Sequence, residues 1–330
     1  MDTAKGTFII SHSSALELFR QPGFRWYLEQ GRRDVPAGIR WDVSASRVIG
    51  ARDADGLIGR LTLPLHVTSC GDFRGRNSGL RVIHRHRGSL PPSSLVALGK
   101  GLFVSSPELC MVQLASELTP VDLAVLVMEL CGSYRMGQSG TLYGEPLLTD
   151  AATLQGFIQT CRDAKRMNLH GVKRLDAVLG HIAAGSASPR ETAVCLLLCL
   201  PTVWGGYGLP WPQVNYPLPV HASHLETLGR KSYRFDLCWP ESKVALEYDS
   251  SEFHSDAVRL ALDAEKRTTA QKLGYTVVSL TNGQLRNVDA MDELSAFLSA
   301  KLGRRFRIRA KGFALKQHVL RATLLDPASA

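Results

Sequence analysis

Residues 233–249 read YRFDLCWPESKVALEYD. In the first half Tyr233, Phe235 and Leu237 alternate with Arg234, Asp236 and Cys238, and in the second Val244, Leu246 and Tyr248 alternate with Ala245, Glu247 and Asp249. Alternation with period two marks a half-buried strand. Pro240, Glu241 and Ser242 supply a turn between the halves, so an antiparallel hairpin is predicted. With an even-numbered loop centred between Glu241 and Ser242, Asp236 falls opposite Glu247, and Asp249 shares their face. Like charges directly opposed in a sheet cost a few tenths to ~1 kcal/mol per pair, so three acids on one surface call for a cation. Oxygen-only ligands suit a hard ion, Mg2+ or Mn2+, which takes one or two protein carboxylates and keeps several waters. Such an ion activates and orients a water for attack on phosphorus and stabilises the departing oxygen.

The flanks extend the hairpin into an α/β unit. Upstream, SPRE makes Ser188 a helix N-cap, Pro189 the first helical residue and Glu191 the reciprocal partner of a capping box, opening a helix that ends near Leu200. A loop rich in Gly, Pro and Trp follows, then a strand over VNYPLPV. Downstream, a helix is predicted over 255–273, stopped by Gly274, with YTVVSLT as another strand. If that strand runs parallel to the Glu247 strand, the helix is a right-handed crossover. Lys266 or Arg267 on this helix can supply the cation the acids need. Asp263 and Arg267 lie one helical turn apart, which is also the spacing of an ordinary ion pair. His254 falls in a polar turn, where a surface histidine is the default.

The first half of the chain is less regular. A short helix is predicted near residues 11–19, then strand-like segments at 63–70, 80–86 and 95–106 separated by Gly, Asn and Pro clusters. His84, Arg85, His86 and Arg87 are basic residues of a strand edge, open to solvent or to DNA. Helices follow: one from Pro107 broken at Thr119-Pro120 and stopping near Gly132, then 151–164 and 172–184. We expect a mixed α+β region over 1–185, an α/β domain over 186–303 and a basic tail over 304–330.

A formal charge of +9 and a pI near 9.3 favour a polyanionic partner. Beyond Leu302 the chain carries Arg304, Arg305, Arg307, Arg309, Lys311, Lys316 and Arg321, with no acid before Asp326. Such runs are usually solvated; interleaved Phe306, Ile308 and Phe313 imply partial docking. The seven cysteines are scattered without a C-x-x-C pair, which argues for buried free thiols in a reducing compartment and against a zinc site. The longest apolar stretch, AVCLLLCL at 193–200, is far short of the ~20 residues of a membrane span. No export signal opens the chain, so a cytoplasmic protein with no membrane partner is expected.

The ordered set of Asp236, Glu247-x-Asp249, His254, Asp263-x-x-x-Arg267 and Leu273-Gly274-Tyr275 resembles the Vsr-like branch of the PD-(D/E)XK nucleases, especially a bacterial family catalogued as domain of unknown function 559. The likeness covers about residues 188–285, with SPRE matching the family's first helix. It implies a restriction-endonuclease-like fold, a mixed central sheet flanked by helices, and Mg2+- or Mn2+-dependent hydrolysis of DNA phosphodiesters in phage defence or repair. It implies catalytic roles for Asp236, Glu247, Asp249, His254 and Glu191, with metal ligation by the first three. Lys266 is expected to join them as the missing cation, and Arg267 with the basic run Arg304, Arg305, Arg307 and Arg309 is expected to contact DNA. Cutting both strands with one site per chain implies a homodimer. Two positions depart from the pattern: the glycine after E-x-D is Ser250, and the E-x-K lysine of the wider superfamily is Asp249. They leave open a DNA-binding regulator built on an inactive nuclease fold. The segment HRHRGSLPPSSLVALGKGLFVSSPELCMVQLA resembles the region that precedes such domains in chains similar to AbiEi-type antitoxins, which implies a DNA-recognition or regulatory role.

Overall fold

A computed structural model describes residues 6–35, 41–70, 75–99, 101–163, 169–218, 233–249, 257–308 and 310–326, with the side chains of 33, 54 and 257–263 left out. The chain divides into two compact units, Met1–Gly180 and His181–Ala330. Both mix helices and strands.

The first unit is built on a six-stranded sheet with the spatial order Arg32–Arg33, Leu95–Gly99, Leu102–Ser105, Phe8–Ile10, Leu65–Cys70, Arg81–His86. Phe8–Ile10 lies inside the sheet, parallel to Leu102–Ser105 and antiparallel to Leu65–Cys70. Its three residues are fully buried, and three are too few for a periodic signal, so the sequence gives no hint of this strand. The segment expected as one strand at 95–106 is a hairpin. Gly99 and Gly101 both take positive φ, and the chain reverses there at little steric cost. Helices Pro107–Leu114 and Pro120–Leu130 start where the sequence places them, because Ser106 and Thr119 side chains accept the orphan amides of Leu109 and Asp122. Glu108 and Glu129 on these helices are fully buried, and each is met by an arginine: Arg32 2.8 Å from Glu108, Arg20 2.6 Å from Glu129. Buried Arg135 gives its donors to the carbonyls of Glu129, Gly132, Tyr134 and Pro146. All seven cysteines are free thiols, six of them buried.

The second unit holds a four-stranded mixed sheet in the order Thr276–Thr281, Val244–Asp249, Arg234–Trp239, Gln213–Pro217. Thr276–Thr281 runs parallel to Val244–Asp249, and the other pairs are antiparallel. Alternation packs Phe235, Leu237, Val244 and Leu246 into the interior. Helix Ala257–Lys272 links the parallel pair as a crossover must, buries Ala270 against Phe235 and Tyr275, and ends at Gly274, whose φ is +81°. Pro189–Cys199 packs on the two central strands.

The segment expected as a basic tail contains helix Phe313–Leu325, with Gln317, Leu320, Arg321, Leu324 and Leu325 buried. Its apolar residues recur at helical spacing, but interspersed charges hid them in the sequence. Among the described residues no helix is long and apolar enough to cross a membrane.

Candidate functional site

The hairpin register sets the site. Leu237 pairs with Leu246 and Trp239 with Val244, so the same register, one step further, puts Asp236 opposite Glu247. On the other side Phe235 pairs with Tyr216 and Leu237 with Val214, which brackets Asp236 opposite Asn215. Glu247 in turn pairs with Ser279. One row of polar residues, Asn215, Asp236, Glu247 and Ser279, therefore crosses all four strands. This row arises because each strand alternates apolar and polar residues, and the registers bring the polar phases into line.

Regular pairing of the two central strands ends at Leu237, where Asp236 turns its carboxylate into the ladder and its Oδ2 accepts the Tyr248 amide at 2.7 Å. Glu191, at the third position of helix Pro189–Cys199, comes in beside it. Glu191 Oε1 accepts from Ser188 Oγ at 3.0 Å, and Oε2 accepts from Asn215 Nδ2 and the Ala187 amide, both at 2.8 Å. The expected reciprocal cap therefore exists with a shift, since Glu191 reaches the amide before the N-cap residue rather than that of Ser188 itself. From the crossover helix, Lys266 Nζ lies 2.7 Å from both oxygens of Glu247 and 5.6 Å from the centroid of the Phe235 ring. Arg267 extends to Ser279 Oγ at 2.9 Å.

The electrostatics follow from this crowding. Burial, then Glu247, then Glu191 push the Asp236 carboxyl up to about 7, against the opposing pull of the Tyr248 amide and Lys266. Among the described residues, the carboxylates of Glu191, Asp236 and Glu247 outnumber the Lys266 ammonium paired with Glu247, which is the charge balance a hard divalent cation would correct. Asp236 and Glu247 provide the oxygen donors such an ion prefers, so the residues fit Mg2+ or Mn2+. Asp249 is exposed at the end of its strand, paired in register with Thr281, and among the described residues it does not close a three-ligand group with Asp236 and Glu247. His254 and Arg309 lie outside the described residues, as does the side chain of Asp263. Arg304, Arg305 and Arg307 are exposed between helices Val288–Lys301 and Phe313–Leu325.

Known proteins add little chemistry. Two uncharacterized proteins from two strains of Mycobacterium tuberculosis are similar. Each is 31% identical to this chain over 80 residues, 24% of this chain and 27% of the relative. The match thus spans about a quarter of those relatives' length. No protein-family model matches the chain, and no solved structure does.

Asn215 is the residue sequence reasoning missed. It holds Glu191 and the Gly185 carbonyl with one amide group, and its own φ is +51°. Asparagine is among the few side chains that tolerate this region, and a lone Asn inside a Pro-flanked strand was the available signal.

Lys266→Met should leave the partly buried Glu247 carboxylate without its cation and destabilise the chain by about 1–3 kcal/mol, below the 3–5 of a fully buried pair because solvent reaches this one. Lys266→Arg should restore most of that loss. Denaturant midpoints of the two variants and wild type check this, and an unchanged midpoint in Lys266→Met would mean the ion pair contributes nothing.

Proposed function

We propose that the second unit is a metal-dependent DNA endonuclease of the PD-(D/E)XK superfamily, closest to its Vsr-like branch, with a restriction-endonuclease-like sheet. The observation that carries this reading is the crowding of Asp236 by Glu247 from the neighbouring strand and by Glu191 from helix Pro189–Cys199, which with burial pushes its carboxyl up to about 7 beside the Lys266–Glu247 ion pair. Asp236 and Glu247 would hold Mg2+ or Mn2+, which when bound neutralises phosphate charge and lowers the pKa of a water. The chain's own residues do the remainder. Asn215 and the helix cap fix Glu191, and the Tyr248 amide fixes the Asp236 carboxylate. Lys266 enters from the crossover helix where the wider superfamily uses a strand lysine. Held on Glu247, its ammonium is available to orient an attacking water or to offset charge on the phosphate in the transition state. Arg267, Arg304, Arg305 and Arg307 are exposed cations suited to backbone phosphates. DNA in the bacterial cytoplasm is the proposed substrate, cut by two copies acting together on a duplex, with the first unit as a recognition or regulatory module.

A second reading has its own support. Lys266 spans both oxygens of Glu247, and among the described residues Asp249 does not join Asp236 and Glu247 in a three-ligand group, which favours a domain that binds DNA without cutting it. Incubation with plasmid, single-stranded and mismatched DNA in Mg2+ or Mn2+ separates the two. Metal-dependent cutting supports the enzyme. Salt-sensitive binding with no product from any substrate selects the regulator and removes the nuclease assignment.

A further inference from the structure

Three histidines far apart in sequence meet in the first unit. His12 opens helix His12–Phe19 directly after the buried strand Phe8–Ile10, while His66 and His84 stand on the adjacent parallel strands Leu65–Cys70 and Arg81–His86. In that ladder His66 pairs with Val82 and Thr68 with His84, so the two histidines are diagonal neighbours. The rings of His12 and His84 stack 3.5 Å apart at 14°, and the His66 ring lies 5.1 Å from His84 and 6.2 Å from His12. Glu117, in the turn after helix Pro107–Leu114, brings a carboxylate to the same place. Ligand atoms of His12, His84 and Glu117 all lie within 4.8 Å of one another.

We propose that His12, His84 and Glu117 form a site for a borderline divalent metal of the zinc class, with His66 and Ser11 as the partners that orient the two imidazoles. Each ring has one nitrogen already engaged, His84 Nε2 with His66 Nδ1 at 3.0 Å and His12 Nδ1 with Ser11 Oγ at 3.0 Å. That leaves His84 Nδ1 and His12 Nε2 as ligand atoms, the arrangement in which an outer hydrogen bond fixes tautomer and ring orientation. Two imidazoles and a carboxylate are the donor set that catalytic and regulatory Zn2+ sites use, with a fourth position left for water. The hard, all-oxygen acids of the second unit prefer a different ion.

One further observation supports this. His12 is held at φ +52°, a conformation uncommon for a non-glycine residue, and its ring stacks on that of His84. Tetrahedral ligands on bonds of about 2.0–2.1 Å stand about 3.3 Å apart, so metal entry must tilt the stacked rings and draw exposed Glu117 inward. The ion would then tie the first helix to the edge of the sheet.

The test uses the full-length protein with Co2+ and Cu2+ as probes, in excess Mg2+ to occupy the acids of the second unit. Wild type should bind a single equivalent with imidazole nitrogen couplings in the Cu2+ spin resonance spectrum and a Co2+ visible band. His84→Gln should abolish both. Glu117→Gln, a surface change that the fold tolerates, should weaken binding at least about tenfold, the lower end of what even an outer partner contributes. Asp236→Asn, in the other unit, should leave the nitrogen couplings and the Co2+ band as in wild type. Equal binding by wild type and Glu117→Gln, absence of nitrogen couplings, or loss of the site in Asp236→Asn would each overturn the proposal.

Discussion

Asp236→Asn is expected to yield a protein that is more stable than wild type at neutral pH and fails to cut DNA. The folded Asp236 carboxyl is pushed up to about 7 from 3.8, first by burial and then by Glu247 and Glu191. An acid whose pKa rises on folding favours the native state only while it is protonated. Below its unfolded pKa both states hold the proton and nothing is lost. Between there and about 7 the unfolded chain releases a proton that the folded one retains, so stability falls as pH rises, then levels off. Asparagine keeps the acceptor for the Tyr248 amide and removes the charge. One pKa unit is worth 1.36 kcal/mol; after discounting for the side chain's partial exposure, a gain on the order of 1–2 kcal/mol above pH 7 remains, vanishing near pH 4. If Asp236 and Glu247 hold Mg2+ as proposed, the ion should reverse the order by stabilising only the wild type through mass action. Cleavage should drop on the order of 10²–10³-fold, the range for removing one electrostatic stabiliser from a site. Denaturation curves from pH 4 to 8, with and without Mg2+, check the stability half, and a variant less stable than wild type at pH 8 without metal would refute it.

Arg20→Met should be the most damaging single change in the first unit. Glu129 is fully buried, and Arg20 grips it twice, Nε to Oε1 at 2.9 Å and Nη2 to Oε2 at 2.6 Å, while the Met136 amide donates to Oε1 at 2.9 Å. Removing the guanidinium strands a carboxylate in the core, a loss of about 3–5 kcal/mol. At roughly 2–4 °C per kcal/mol for a unit of this size, melting falls well below that of wild type. Replacing Glu129 with Met as well should recover much of this, since a buried pair exchanged for apolar side chains is often neutral. Hydrogen exchange of the Phe8–Ile10 amides reads the unit directly. Exchange in Arg20→Met as slow as in wild type would show that the pair is not what holds the core.

The second unit was more legible in sequence than the first, for physical reasons. The Tyr233–Asp249 register followed from period two and an even-numbered loop centred between Glu241 and Ser242, and the pairing of Leu237 with Leu246 agrees with it. The Ser188 cap followed from local chemistry. The choice between Lys266 and Arg267 did not, because consecutive helical residues point about 100° apart and only the packing of the helix decides. Lys266 meets Glu247, and Arg267 meets Ser279. Asn215 escaped notice because its role depends on a contact with a residue 24 positions away. The histidine cluster joins positions up to 72 residues apart (84 − 12). The sequence places His84 on a solvent- or DNA-facing strand edge, whereas it is half-buried against two other imidazoles. Local patterns cannot announce such meetings, because long-range strand pairing creates them.

The measurement that bears most directly on the nuclease reading is the initial rate of plasmid cleavage in Mg2+ and Mn2+ by wild type beside Glu247→Gln, which keeps the side chain's size and removes its charge. We expect cutting by wild type that requires the metal and falls on the order of 10²–10³-fold in the variant. Equal cutting by both proteins, or cutting that survives chelation, would contradict a metal site built on Asp236 and Glu247.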